Sequence, residues 1–207
     1  MEIKMLVYLI RHGETDLNKE HRLQGQTDIK LNDYGRELAK ETGAALKNIN
    51  FDEVFSSPLS RAYETALLIA GEKEVEIIKD ARIQEISFGE YEGLSYGAYG
   101  HTVPDPYFSY FFEAPHLYRV PKGGESFEDV IKRTGAFWQD LLKDPSNKDK
   151  TILVSTHGCA LKGILANIRE TELKDFWGDG VHKNCAVTLV EVSEEKTKVV
   201  YEGKIFY

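Results

Sequence analysis

A chain of 207 residues, 42% hydrophobic and 29% charged, has the makeup of one globular α/β domain that buries about 70% of its unfolded surface. A net charge of −8 argues against a nucleic-acid-binding surface, and no apolar stretch approaches the ~20 residues that span a bilayer. Cys159 and Cys185 make no disulfide framework, and strand-like sequence begins where a signal peptide would stand, so a cytoplasmic location is expected.

The first predicted strand is Leu6-Val7-Tyr8-Leu9-Ile10, short, apolar and rich in β-branched and aromatic residues, as a strand buried on both faces should be. Arg11-His12-Gly13-Glu14-Thr15 follows at its carboxyl end, where ligands gather in open α/β sheets. Asn32 is predicted to cap a helix whose apolar face runs Leu38, Ala39, Thr42, Ala45, Leu46, Ile49. Val54-Phe55 then leads into Ser56-Ser57-Pro58-Leu59-Ser60-Arg61-Ala62. Ser57 is the expected N-cap there, Pro58 the first helical residue, and Arg61 lies in the early turns near an anion-favouring terminus.

Residues 96–121 hold Tyr96, Tyr99, Tyr107, Phe108, Tyr110, Phe111, Phe112 and Tyr118 among four prolines, a poor helix and a poor strand. This aromatic-rich insert, about 94–122, reads as a lid over a pocket or as a satellite hydrophobic cluster; a few rings packed down and one or two facing the site would satisfy both. Ser126 is predicted to cap a helix burying Val130, Thr134, Phe137, Trp138 and Leu141. Ile152–Thr156 repeats the strand pattern and ends in His157-Gly158, ahead of helical periodicity at Leu161, Ile164, Leu165 and Ile168. Val187, Leu189 and Val192, a turn near Glu194-Glu195 and Val199-Val200-Tyr201 form a predicted hairpin, an antiparallel edge on a mostly parallel sheet.

Three strand-to-helix junctions thus bring Arg11, His12, Arg61 and His157 to one sheet edge. Planar guanidinium forks match phosphate oxygens, and an imidazole beside them is held neutral, as a nucleophile toward phosphorus must be. A local arginine cluster focuses positive potential even on an acidic body. The remaining histidines (His21, His101, His116, His182) lack the close spacing of a metal cluster, although His182 would border the pocket.

The ordered set Arg11-His12-Gly13-Glu14-Thr15 with Asn18, Ser56–Ala62 with Thr65-Ala66, Gln84-Glu85 through Glu92-Gly93, Gly123-Gly124-Glu125-Ser126 and His157-Gly158 resembles the histidine phosphatase superfamily. The similar branch contains cofactor-dependent phosphoglycerate mutases and their phosphatase relatives. The resemblance implies a single domain over residues 1–207, a three-layer α/β/α sandwich of the phosphoglycerate mutase type. It implies a phosphohistidine on His12, with Arg11, Arg61 and His157 on the phosphate oxygens and His157 most useful as a charged donor. Asn18 is similar to a position that contacts the transferred phosphate; its plainer reading is a turn residue. Glu85 would protonate the leaving alkoxide and then activate water, with Glu90 and Glu92 as nearby competitors for that role. Gly13, Gln24 and Gly158 complete the expected phosphate- and substrate-binding positions, the two glycines serving tight turns, ligand approach or both. No metal or cofactor is required by this scheme.

The insert supplies aromatics and few cations (Arg119 and Lys122 at its far end), and the loop Arg22–Asp28 looks like those of phosphatase relatives. The expected activity is therefore a metal-independent phosphomonoesterase on small, aromatic or apolar organic phosphates, with phosphoglycerate mutase as the alternative. A non-catalytic sensor of phosphorylated ligands is a second alternative. The expected partner is a small phosphorylated molecule, with neither nucleic acid nor membrane, and the oligomeric state is left open. Cys159, beside the site in a positive field, is read either as a low-pKa, oxidation-sensitive thiol or as a small buried helix residue.

Overall fold

The computed structural model describes residues 4–71, 76–97 and 100–207; Tyr99, one of the predicted insert aromatics, lies outside them. In chain order its elements are β1 (Met5–Arg11), α1 (Asp16–Lys19), α2 (Asp33–Ala45), β2 (Glu53–Ser56), α3 (Ser60–Ala70), β3 (Ile77–Lys79), β4 (Tyr96–Gly97) and β5 (Gly100–His101). They continue with α4 (Tyr110–Glu113), α5 (Phe127–Lys143), β6 (Thr151–Thr156), α6 (Gly158–Arg169), β7 (Val187–Val192) and β8 (Thr197–Lys204).

Six strands make one sheet in the order β3-β2-β6-β1-β7-β8, and β4 and β5 form a separate small ribbon. β1 runs parallel to β6, with Leu6 opposite Thr151, and antiparallel to β7, with Met5 opposite Val192. β6, β2 and β3 are mutually parallel neighbours, and β7 and β8 form the expected antiparallel hairpin edge. Strand alternation sorts the core into two layers. Val7, Leu9, Ile152 and Val154 pack with Phe137 and Trp138 of α5 and Leu161, Ile164 and Leu165 of α6. Tyr8, Ile10 and Leu153 point the other way, onto Leu46, Phe51 and the α3 residues Ala66 and Ile69. The result is the α/β/α sandwich expected from the sequence. Among the described residues no helix is long and apolar enough to cross a membrane.

Two caps form as read from the sequence. Asn32 Oδ1 accepts from Gly35 N at 2.8 Å, and Ser126 and Asp129 close a capping box. The α2 helix ends at Ala45 with Leu46 as C-cap, so Ile49 packs from beyond the helix. The start of α3 differs from expectation. Its N-cap is Leu59, and Asp28 Oδ1, reaching over from a loop, accepts from Ser60 N and Oγ at 2.7 Å each. Ser57 lies ahead of the helix: its Oγ accepts from Leu59 N at 3.3 Å and also meets His157 Nε2 at 2.8 Å.

The turn after β1 lies directly on the head of α2. A Cβ on Gly35 would stand 2.1 Å from the Glu14 carbonyl oxygen, and one on Gly13 would stand 2.5 Å from the Gly35 oxygen. Both obstacles are backbone, so neither yields by a rotamer change. Gly35→Ala is accordingly expected to lower the unfolding free energy in urea by about 1–3 kcal/mol, the usual cost of overpacking. An unchanged midpoint would show that the loop and α2 do not meet this closely.

Candidate active site

The carboxyl ends of β1, β2 and β6 open onto a pocket of about 180 Å³. Arg11, His12, Asn18, Gln24, Arg61, Glu85 and Gly158 line it. Of the remaining predicted site residues, His157 and Gly13 stand behind the lining: His157 is fully buried, and Gly13 donates its N–H to Thr65 Oγ1 at 3.0 Å.

His12 is held from both sides. Its N–H donates to Thr156 O at 2.9 Å, and its carbonyl accepts from Asn184 Nδ2 at 2.9 Å. Nδ1 lies 2.7 Å from the Gly13 carbonyl oxygen, which can only accept, so the proton sits on Nδ1 and the lone pair on Nε2. Burial, then the Arg61 and Arg11 guanidiniums, push the His12 pKa well below its ordinary value, while the Gly13 bond opposes them. The ring is a neutral, oriented imidazole.

His157 packs beside it, ring centroids 5.1 Å apart, with Nε2 at 2.8 Å from Ser57 Oγ. Burial and then Arg61 hold its pKa well down too, so the structure carries a neutral imidazole where the sequence suggested a charged donor. Arg61 donates from Nη1 to Thr27 O at 2.9 Å and from Nη2 to Gly25 O at 2.7 Å, and burial pushes its pKa down to about 10. Arg11 donates from Nη1 to the His182 carbonyl oxygen. Three buried polar atoms here, Arg11 Nε, Arg61 Nε and His157 Nδ1, have no hydrogen-bond partner among the described residues. Asn18 Oδ1 accepts from Thr15 N at 3.2 Å and Asn184 Nδ2 at 3.4 Å, which leaves its amide N–H groups as the donors it can offer a ligand. Gln24 Oε1 accepts from Thr15 Oγ1 at 2.8 Å.

The Glu85 carboxylate enters from the irregular segment after β3 and sits on the first turn of α6. Oε1 accepts from Ile86 N at 3.0 Å, Cys159 N at 3.0 Å and Ala160 N at 3.2 Å. Oε2 accepts from Cys159 N at 3.3 Å and lies 3.6 Å from the point a Cβ on Gly158 would occupy. That point is also 3.7 Å from Arg11 Nε, so a side chain at Gly158 would stand between the carboxylate and the guanidinium. Cys159 corrects the reactive-thiol reading. It is 2% exposed, and burial first, then the Glu85 carboxylate, drive its pKa well above the ordinary thiol value.

The outer wall is apolar. From the insert, Tyr96, Phe111 and Phe112 face the pocket, while Phe108 packs down at 2% exposure. Phe88, Trp177 and Val181 complete the wall and had no sequence signal as site residues. Trp177 Nε1 donates to Phe111 O at 2.5 Å and so ties a late loop to the insert. Asn184, which grips both His12 and Asn18, had only the signature of a turn residue.

The depressed imidazoles set a pH dependence. With folded pKa values below the unfolded value of about 6.5, the unfolded chain takes up protons first on acidification. Stability is therefore whole above that pH and falls as pH drops through the window below it, by up to about 1.4 kcal/mol per pH unit for each histidine. Urea unfolding between pH 7 and 5 is expected to show this slope and to show it reduced in His12→Asn/His157→Asn, with His182 leaving a remainder. Equal slopes in both proteins would refute it.

Comparison with known proteins identifies the family. The profile of the histidine phosphatase superfamily (branch 1) matches residues 7–203. Phosphoserine phosphatase 1 of Hydrogenobacter thermophilus is 31% identical over 192 residues, 93% of this chain and 89% of its own. A metal-independent phosphoserine phosphatase of Arabidopsis thaliana is 31% identical over 92% of this chain and 77% of its own. Among solved structures, Bacillus stearothermophilus YhfR aligns with a TM-score of 0.86 at 34% identity over 97% of both chains. The chain belongs to branch 1 of the histidine phosphatase superfamily.

Proposed function

We propose that this histidine phosphatase hydrolyses small organic phosphate monoesters, without a metal, through a phosphohistidine on His12. The observation that carries the reading is a neutral, oriented imidazole flanked by two buried guanidiniums whose Nε atoms have no partner among the described residues. His12 Nε2 attacks phosphorus as the ester P–O bond breaks, and Glu85 gives its proton to the departing alkoxide. Water then attacks the phosphohistidine, Glu85 takes its proton, and His12 leaves as the neutral imidazole. Arg11 and Arg61, with Asn18 and a hydrogen bond from His157, stabilise the charge on the transferring oxygens.

The insert acts as a lid whose inner rings hold the alcohol part of the substrate. Tyr96, Phe112 and Trp177 offer it aromatic surface, which suits apolar or aromatic esters. Beyond the phosphate end, Arg22 is the remaining lining cation among the described residues, and it is engaged by Gly93 O at 2.6 Å and Glu20 at 3.2 Å. A second phosphate or a carboxylate finds little to bind, which favours hydrolysis over mutase chemistry. A reducing, cytoplasmic setting suits two buried unpaired thiols.

The test is phosphate release in the presence of chelator from p-nitrophenyl phosphate, phenyl phosphate, O-phosphoserine and 3-phosphoglycerate. His12→Ala is expected to abolish turnover, and Glu85→Gln to reduce it on the order of 10²–10⁴-fold. Isomerisation of 3-phosphoglycerate with negligible hydrolysis would replace this reading by the mutase, and phosphate binding with no turnover would leave a sensor. Within the panel, the aryl esters are expected to exceed O-phosphoserine in kcat/KM by about tenfold or more, and Trp177→Ala to narrow that gap.

A further inference from the structure

Glu85 is delivered by a stretch that no regular structure supports: residues 84–87 belong to neither helix nor strand. Their backbone still needs partners, because buried carbonyls left unpaired are costly. Four consecutive carbonyls here are all held by side chains. Arg133 Nη1 donates to Arg82 O at 2.8 Å and to Gln84 O at 2.6 Å, and Arg133 Nη2 donates to Glu85 O at 3.0 Å. Thr156 Oγ1 donates to Ile83 O at 2.8 Å, and Gln26 Nε2 donates to Glu85 O at 3.1 Å.

The two remaining guanidinium donors of Arg133 go to Glu125, from Nε to Oε1 at 2.9 Å and from Nη2 to Oε2 at 3.0 Å. Every N–H of the fork is therefore used, three on the chain around Glu85 and two on one carboxylate. Glu125 Oε2 in turn accepts from Ser87 N at 2.9 Å, so one ion pair grips the backbone on both sides of Glu85. Partly exposed ion pairs add little to stability. This one fixes geometry. An ammonium, with three donors and no plane, cannot reproduce it.

We propose that Arg133, on α5 and outside the pocket, is a positioning residue that sets the Glu85 carboxylate at proton-transfer distance from the leaving oxygen; this rests on the reading of Glu85 as general acid and base. The side chain is anchored at its tip by the first turn of α6 and at its root by Arg133. Freeing the root lets the carboxylate drift from the ester oxygen while the phosphate clamp stays intact. A displacement near 1 Å costs on the order of 10²-fold in rate.

The test uses two esters that differ in their need for a proton. 2,4-Dinitrophenyl phosphate releases a stable phenolate unaided, whereas 2-phenylethyl phosphate must release an alkoxide. In the full chain, Arg133→Lys and Arg133→Gln are expected to lower kcat/KM on the order of 10²-fold for the alkyl ester and to change the dinitrophenyl ester little. In the Glu85→Gln background the same substitutions are expected to add nothing further on the alkyl ester. Equal losses on both esters, or an undiminished loss in Glu85→Gln, overturn the proposal and make Arg133 a support of the fold or of the phosphate clamp. If circular dichroism shows the Arg133 variants unfolded, Glu125→Gln, which loosens the grip but keeps the guanidinium, is compared in the same way. If Glu85→Gln itself lowers both esters equally, the acid–base reading of Glu85 fails, and the role of Arg133 falls with it.

Discussion

Burying two guanidiniums next to an imidazole is the constraint around which the rest of the site is arranged. An ion taken out of water costs several kcal/mol even after relaxation, so each must be met by fixed dipoles or countercharges. Arg61, fully buried at the head of α3, is met by the carbonyls of Gly25 and Thr27. Those carbonyls sit on a loop that a single carboxylate shapes: Glu92 Oε1 accepts from Gln26 N at 3.0 Å and Glu92 Oε2 from Thr27 N at 2.8 Å. Arg11 is met by the His182 carbonyl, and the His182 ring is tied to Glu202 at 2.9 Å. Glu202 also accepts from the buried Lys162, and its bonds to Lys162, His182 and Arg169 pull its pKa down to about 2 against the effect of burial. Charge is thus neutralised at the periphery, and carbonyl dipoles face the cations near the pocket.

That arrangement explains why an acidic protein suits an anionic substrate. Among the described residues, the carboxylates that outnumber the cations do not line the phosphate end of the pocket, apart from Glu85, whose Oε1 is engaged by three backbone N–H groups. Burial first, and then the same cations, keep His12 and His157 neutral. Excluding water and fixing the donors in advance makes each interaction with a transferring phosphoryl group stronger than it would be in solvent.

Much of this was legible in the sequence because it depends on local order. Buried strands end in short motifs, so Arg11, His12 and Arg61 had to emerge at one sheet edge once β1, β2 and β6 paired. The alternation of Val7 and Leu9 against Tyr8 and Ile10 likewise foretold helices on both faces. What escaped is what depends on distant partners. Ser57 does accept from Leu59 N, but the helix starts at Ser60, where Asp28 arrives from another loop to take the Ser60 N–H. Cys159 read either as an activated thiol or as a small buried residue, and burial with the Glu85 carboxylate decides for the second. Trp177 reaches the pocket from a stretch with no periodic pattern, placed there by its packing on Phe111 and Phe127.

Arg133 and Asn184 escaped for a related reason, and it bears on how such a site is built. Loops carry the chemistry because strand ends are where side chains converge, but a loop has no ladder to hold its backbone. Here the missing ladder is supplied by side chains sent inward from regular elements or from neighbouring loops: Arg133 from α5 to residues 82–85, Asp28 to the start of α3, and Asn184 to the carbonyl of His12. Each of these polar groups bonds backbone, so its own identity is set by the shape of a loop and only indirectly by the phosphate. The supports of the candidate site therefore extend one side chain beyond the pocket wall, into α5 and the neighbouring loops, where the sequence alone reads as ordinary solvated polar residues.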